Sequence, residues 1–424
     1  MYNVILKSGV RHLICNDHLP VEQTIIEPAD KTSEMVRMGE EITDQLELIP
    51  GRLFIKRIIR PKYVLSKKDQ DNQIENTGES SSIFIADLPS FPIPKCMVET
   101  GLLSQIFIDK FIDHLPFYRQ IQRYKREDVE LKASTIDGWQ TQVTTLLEPL
   151  YACLKNKVLS QGYIQVDESP VKVLDRNKKG KTHLGYHWVY HSPLEKTLIY
   201  DYRPSRKREA PVEMLANFKG YLQCDGYVAY KEFKHKEGVT LVGCMAHARR
   251  YFEKALDNNK SKAEHVMLEI QKLYKIERIA KQEKYAHKKR YELRLEKSQP
   301  ILAELVKWLI RERAEALPKS EIGKAINYML NQWEEIIAFL HDGGIEIDNN
   351  QIESSIRPLA LGRKNYLFAG SHNGAKRAAM FYSFFGTCKK HEVNPSDWLK
   401  YVLDNIADTK MSKLENLLPQ NFKK

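Results

Sequence analysis

A chain of 424 residues with 42% hydrophobic content can bury cores in about two to four domains without help from disulfides or metals. Its formal charge of +11, from 66 Lys and Arg against 55 Asp and Glu, favours a polyanionic partner. No run reaches the roughly 18 apolar residues of a membrane span and no apolar signal core follows Met1, which excludes a membrane role and predicts a cytoplasmic protein.

In chain order, residues 1–65 alternate apolar and polar in places, as in RLFIKRIIRPKYV, and predict a small strand-containing module. A linker over 66–98 follows. Its first part, SKKDQDNQIENTGESSS, has Ile74 as its one large apolar residue, and Pro89, Pro92 and Pro94 stiffen the remainder. From Gly101 the spacing turns helical, predicting a helical domain over 99–158. Within it Leu115 to Val143 has the size and punctuation of a helix-turn-helix, with Ser134 or Thr135 as the cap of its second helix. That helix would enter a major groove, with Arg119, Arg123, Lys125 and Arg126 on the preceding one near phosphates. The plainer alternative is a helical hairpin with solvated basic residues.

Over 159–257 the period changes. YIQVDES, LGYHWVYH, KTLIYDY, YLQCDGY and GVTLVGCM read as five strands, with helical stretches at APVEMLANF and AHARRYFEKAL, giving a mixed α/β order. Asp167 is placed at the end of the first strand and Asp225 at the end of the fourth. Aspartates on neighbouring strand ends can share one metal without being buried unpaired, and magnesium needs only two or three carboxylates because waters and phosphate oxygens fill its shell. Residues 258–347 are charged and helix-patterned, punctuated by Pro300 and Pro318, and predict a helical insertion.

The segment 348–391 places Glu353 at the head of a stretch with no further acid until Glu392, among seven cations: Arg357, Arg363, Lys364, Lys376, Arg377, Lys389 and Lys390. A helix beginning near Asp348 to Asn350 would carry Glu353 as a third metal ligand, while Arg363, Lys364 and Asn365 contact phosphate. Gly362 and Gly370 are expected at turns, Tyr366 and Phe368 in the core. Residues 392–424 form a C-terminal helical tail. Glu168 and Asp348 stand beside Asp167 and Glu353 as alternative ligands, and Arg357 could pair with Glu353 or face a nucleic acid.

VDESPVKVL around Asp167, GYLQCDGYVAY around Asp225, GCMAHARRYFEKA, and DNNQIESSIRPLALGRKNYLFAGS around Glu353 together resemble the transposases of the insertion sequence sixty-six family, from about residue 19 to the C-terminus. The resemblance implies a ribonuclease-H-like core with a catalytic triad of Asp167, Asp225 and Glu353 holding magnesium, or manganese in its place. It also implies a DDE transposase that binds the terminal inverted repeats of its element, cuts at their ends and transfers the strand to target DNA. A dimer or higher oligomer on DNA and accessory proteins of the element accompany that expectation. His247, Arg249 and Arg250 of HARR become phosphate contacts, with a salt-bridged helix surface as the plainer reading.

Members of this family often carry paired zinc cysteines near the N-terminus; this chain has none there, so no zinc is expected, and a truncated or degenerate copy is an open alternative. Cys15 with His12 and His18, and the pairs Cys244/His247 and Cys388/His391, lack the spacing of structural zinc sites. Three rivals stay open. They are a ribonuclease-H-like nuclease without strand transfer, a non-catalytic DNA-binding remnant, and a tyrosine recombinase using His247, Arg250 and Tyr285.

Overall fold

The computed structural model describes residues 96–175 and 180–423, with shorter stretches at 6–7, 10–11, 51, 53–64, 83–87 and 91–93. The chain divides into two compact units, residues 1–88 and 89–424. In the first, β1 (Leu6–Lys7) pairs antiparallel with β2 (Val10–Arg11), and β3 (Lys62–Val64) with β4 (Ile83–Ile85). β4 falls in the stretch expected to be a linker. Of RLFIKRIIRPKYV only Lys62–Val64 is paired, and Phe54, Ile55 and Ile59 are exposed. His12, Cys15 and His18, and the segment 66–82, lie outside the described residues.

The second unit opens with α1 (Thr100–Phe111), α2 (Phe117–Lys125) and α3 (Ala133–Leu159). On α1 the residues Leu103, Ile106, Phe107 and Phe111 recur at helical spacing and are buried, which makes one apolar stripe. Asp109, on the same helix and 3% exposed, accepts an ion pair from Arg123 of α2. α3 starts one residue before the expected cap, with Lys132 at the N-cap and no side-chain cap bond, so neither Ser134 nor Thr135 caps it. It buries Ile136, Trp139, Val143 and Leu147 from its second turn on, because packing against the sheet rather than capping decides where this helix sits.

The five expected strands form one sheet: β5 (Tyr163–Leu174), β6 (Thr182–Ser192), β7 (Thr197–Arg203), β8 (Gly220–Gln223) and β9 (Val239–Val242), in the order β7-β6-β5-β8-β9. β6 runs antiparallel to both its neighbours, β7 and β5; β8 and β9 run parallel to β5. A short helix, α4 (Glu209–Met214), makes the crossover from β7. β8 docks closely because Gly220, at φ +127°, has no Cβ to collide with the Gly162 carbonyl, which accepts from Tyr221 N at 2.8 Å.

After β9 come α5 (Met245–Lys254) and then the helices of the insertion: α6 (Lys260–Gln282), α7 (His287–Leu293), α8 (Gln299–Glu315), α9 (Glu321–Asn331) and α10 (Trp333–Ile337). Asn259 and Ser320 cap α6 and α9. Pro300 does not break the chain. A π-helical turn at Arg294–Ser298 joins α7 to α8, and Pro300 falls in the first turn of α8, where its missing N–H costs little. Arg294, fully buried, binds both Glu277 oxygens and the carbonyls of Phe339, Asp342 and Ile345, tying α6 to the strand of chain that leaves the insertion.

That chain enters α11 (Asn350–Tyr366), which packs along β5 and β6; α12 (His372–Lys390) and α13 (Pro395–Asn405) follow. Hydroxyls on α12 cover the sheet edge, Ser383 accepting from Tyr200 N at 2.8 Å and Thr387 from Leu198 N at 3.3 Å. One apolar core lies between the sheet and α1, α3, α12 and α13, and a second between α5 and the insertion helices.

Candidate active site

β5 and β8 carry the same word in register. Tyr163, Ile164 and Gln165 of YIQVD lie opposite Tyr221, Leu222 and Gln223 of YLQCD, and the aspartate follows two residues later in each. Parallel strands about 4.8 Å apart, carrying acids at the same register, bring two carboxylates together by backbone geometry alone. Asp167 is not at a strand end. β5 continues to Leu174 against β6, but β8 stops at Gln223, so Asp167 faces the side of β5 that β8 has vacated, and Asp225 follows the end of β8.

Beneath the aspartates lies a buried polar network. Gln165 Nε2 donates to Gln223 Oε1 at 2.9 Å and to the Asp348 carbonyl at 3.1 Å, and Gln223 Nε2 to the carbonyls of Gly243 (3.0 Å) and Glu346 (2.9 Å). Tyr163 OH donates to Gln223 Oε1 and accepts from Glu346 N, and His191 Nδ1 bonds Gln165 Oε1 at 3.1 Å. Both glutamines are fully buried. The network fixes residues 346–348, and through them the start of α11, against the two strands that bear the aspartates. Sequence reading passed over these glutamines, although the repeated Y-x-Q-x-D signalled them.

Glu353 lies in the first turn of α11. Arg250 Nη2 of α5 binds its Oε2 at 2.6 Å, His247 Nε2 stands 3.7 Å from Oε1, and Arg250 also donates to His247 Nε2 at 3.0 Å. Burial, then the Arg250 charge, hold the His247 pKa below its ordinary value. Glu353 Oε1 is buried without a hydrogen-bond partner. Asp167 is pushed up to about 8, first by burial, then by the charges of Glu168, Asp225 and Glu353, so these carboxylates feel one another.

The neighbouring acids are otherwise employed. Glu168, its side chain 2% exposed, gives Oε1 to Arg206 and Oε2 to Tyr230 at 2.8 Å. Asp348 accepts from Asn350 N on Oδ1 at 3.0 Å and from Tyr274 OH on Oδ2 at 2.7 Å, which makes it a brace for the start of α11. Asp167 and Asp225 each spend only Oδ1, on the amides of Glu168 (2.7 Å) and Tyr227 (2.9 Å).

An all-carboxylate donor set suits magnesium in kind, and the orphaned Glu353 Oε1 is an oxygen still awaiting a partner. In spacing the set is not closed. Among the described residues no three His, Cys, Asp or Glu side chains are gathered closely enough to hold an ion. Coulomb forces reach further than coordination, which reconciles this with the raised Asp167, and Glu353 is drawn instead to Arg250 and His247. The thiols of Cys244 and Cys388 are both buried and pushed up, Cys244 to about 12.

The expected phosphate contacts divide. Lys125, Arg126, Arg357, Lys364 and Asn365 are exposed, and Arg357 makes no ion pair with Glu353. Arg249 pairs with Glu253 at 2.6 Å, Arg123 with Asp109, and Arg363 Nη1 turns inward to the Pro170 carbonyl. A cleft of about 810 Å³ opens between α5 and α6, with Arg249, Arg250, Met267, Tyr274 and Asn350 on its walls. Gly362 is not in a turn but inside α11, where a Cβ would meet the hydroxyls of Tyr366 and Tyr382. Tyr366 is half-buried, its hydroxyl bonded to that of Tyr382 at 2.6 Å, and Phe368 is 40% exposed rather than in the core. Tyr285 lies outside α6, just past its far end, whereas Tyr274, the α6 tyrosine that braces Asp348, lies within the helix.

Comparison with known proteins matches residues 95–377 to the model of the Transposase IS66 family, and residues 383–420 to that of the IS66 C-terminal element. The chain is also similar to three uncharacterized proteins of Sinorhizobium fredii. It is 32% identical to y4jD over 427 residues (96% of this chain, 81% of that protein) and 30% identical to y4hP over 441 residues (96% and 76%). With y4qI it shares 32% over 426 residues (96% and 76%).

Proposed function

The chain belongs to the IS66 transposase family, and on that premise we propose that it is a DDE transposase. In this reading it binds the terminal inverted repeats of its element, cuts at their ends and joins them to target DNA. The observation that carries this reading is the register of YIQVD beside YLQCD, by which Asp167 of β5 and Asp225, just past the end of the parallel β8, follow matched positions, with Glu353 in the first turn of α11. Strand order β7-β6-β5-β8-β9, with three antiparallel strands followed by two parallel ones, supports a ribonuclease-H-like core.

Asp167, Asp225 and Glu353 would hold magnesium, or manganese in its place. When bound, such ions supply Lewis-acid stabilisation of the attacking and leaving oxygens of a phosphoryl displacement. The chain's own contributions are positional. The buried glutamines hold the two strands and the head of α11 in one frame, Arg250 neutralises Glu353 before DNA arrives, and the exposed Lys364 and Arg357 hold phosphates. Water attacks the phosphodiester and the leaving group is a 3′ hydroxyl. That hydroxyl then attacks a target phosphodiester and displaces the target strand's own 3′ hydroxyl, so no covalent link between protein and DNA forms. Two ends must meet, so a dimer or higher oligomer assembles on DNA, with accessory proteins of the element as further partners. Among the described residues no helix is long and apolar enough to cross a membrane.

The test is a joining assay with a pre-cut element end and a supercoiled target plasmid. Joined product with magnesium and none in EDTA is expected. Cutting of uncut ends without joining would replace the reading by a nuclease, and activity in EDTA with a trapped phosphotyrosine would replace it by a tyrosine recombinase.

A further inference from the structure

Helix α11 ends in a strained turn. Leu367 has φ +61° and ψ −43°, and Phe368 N donates to the Tyr366 carbonyl at 2.6 Å. A bond from residue i+2 to residue i at such angles is the rarer, strained kind of γ-turn, and a branched side chain there is an outlier. The surroundings hold it: Ala369 N donates to the Lys172 carbonyl at 2.8 Å and Leu174 N to the Ala369 carbonyl at 2.9 Å, adding Ala369 to β5 beyond the end of β8. The strain serves no burial. Leu367 is 65% exposed and Phe368 40%.

Its setting is cationic. Lys364, which leads into the turn, and Lys172, whose carbonyl holds Ala369, are exposed, and no acid occurs in the sequence between Glu353 and Glu392. An apolar tip held rigidly beside lysines fits a polyanion that also offers apolar faces, which is stacked DNA. From Glu353 to Leu367 is about 21 Å along α11. Asp167 to Val173 on β5, where Ala369 is paired, is about 20 Å. Either measure equals about six base steps at 3.4 Å each.

We propose that the Leu367–Phe368 turn is a DNA wedge, inserted between base pairs about six steps from the phosphate that the triad cuts. This deepens the transposase reading and rests on it. Arg357 and Lys364 grip the backbone on the α11 side, and the turn separates a base step, kinking the duplex towards the triad.

The experiment uses the full chain and duplexes carrying the element's terminal repeat, with 2-aminopurine placed at successive positions. Wild type is expected to raise fluorescence several-fold at one step, about six from the cut. Phe368→Ala should abolish that rise and weaken binding about tenfold, and Phe368→Trp should keep it. Leu367→Gly, which suits the left-handed backbone, should reduce the rise without loss of folding. Binding and cutting with no rise at any step, or a rise that survives both Phe368→Ala and Leu367→Gly, overturns the wedge and leaves the transposase reading intact. If Phe368→Ala instead converts an oligomer to monomer with the DNA signal unchanged, the patch joins copies of the chain and the wedge is wrong. Failure of wild type to bind or cut the duplex overturns both.

Discussion

Gln165 donates its side-chain amide to the backbone carbonyl of Asp348 at 3.1 Å, joining the strand of Asp167 to the chain that opens the Glu353 helix. The contact spans most of the core and the whole insertion. It lets an inserted helical block sit between the second and third acids without loosening their relation.

Gln165→Leu keeps the volume and removes the bonds, stranding His191 Nδ1 and the Asp348 carbonyl in a buried site and leaving Gln223 Oε1 with Tyr163 OH alone. A loss of about 1–3 kcal/mol in unfolding free energy is expected. Cleavage turnover should fall further than DNA affinity, because the head of α11 shifts against β5. Urea denaturation together with kinetics on an element-end duplex checks this, and equal losses in both would make the network merely structural.

Arg250→Ala releases Glu353 from its ion pair. Both side chains are partly exposed (43% and 28%), so the pair is screened and worth about 1 kcal/mol at most. Manganese affinity of the DNA-free protein is expected to rise about fivefold, since Glu353 no longer has to leave a cation. Titration followed by electron paramagnetic resonance measures it. Affinity that is unchanged or weaker would show that Arg250 does not compete with the ion.

Lys110 supplies a pH dependence away from the acids. Its ammonium lies over the rings of Phe117 (5.0 Å) and Tyr366 (4.2 Å), and burial lowers its pKa to about 8. Between about pH 8 and the ordinary lysine value the unfolded chain holds more protons than the folded one, so stability contributed by this residue rises with pH across that window. The burial penalty is complete below about 8 and gone above the unfolded pKa. Unfolding free energy of wild type minus that of Lys110→Met is therefore expected to climb from pH 8 to 10.5, and a flat difference would contradict it.

Much of the fold was legible. The five strands, the helix at Asn350 and the helical insertion followed from period and punctuation. Local signals failed where tertiary contacts decide. Ser134 and Thr135 looked like caps, but the burial of Ile136 and Trp139 sets where α3 lies. Gly362 reads as a turn until Tyr366 and Tyr382 are seen filling the space a Cβ would take. Phe368 was placed in the core by its type, and only the backbone angles of Leu367 show why it faces out. The family motif, not the residue types, picks Asp167 over Glu168 and Glu353 over Asp348, because adjacent acids look alike in sequence; what the hydrogen bonds add is that both oxygens of Glu168 and of Asp348 are already taken.

The central claim is that Asp167 holds the metal at which DNA is cut. Asp167→Asn preserves shape and removes the charge. Cleavage and binding of an element-end duplex in magnesium should be measured side by side for wild type and this variant. Cutting by wild type, lost in Asp167→Asn with binding retained, is the predicted result; cutting that persists unchanged in Asp167→Asn would contradict the account.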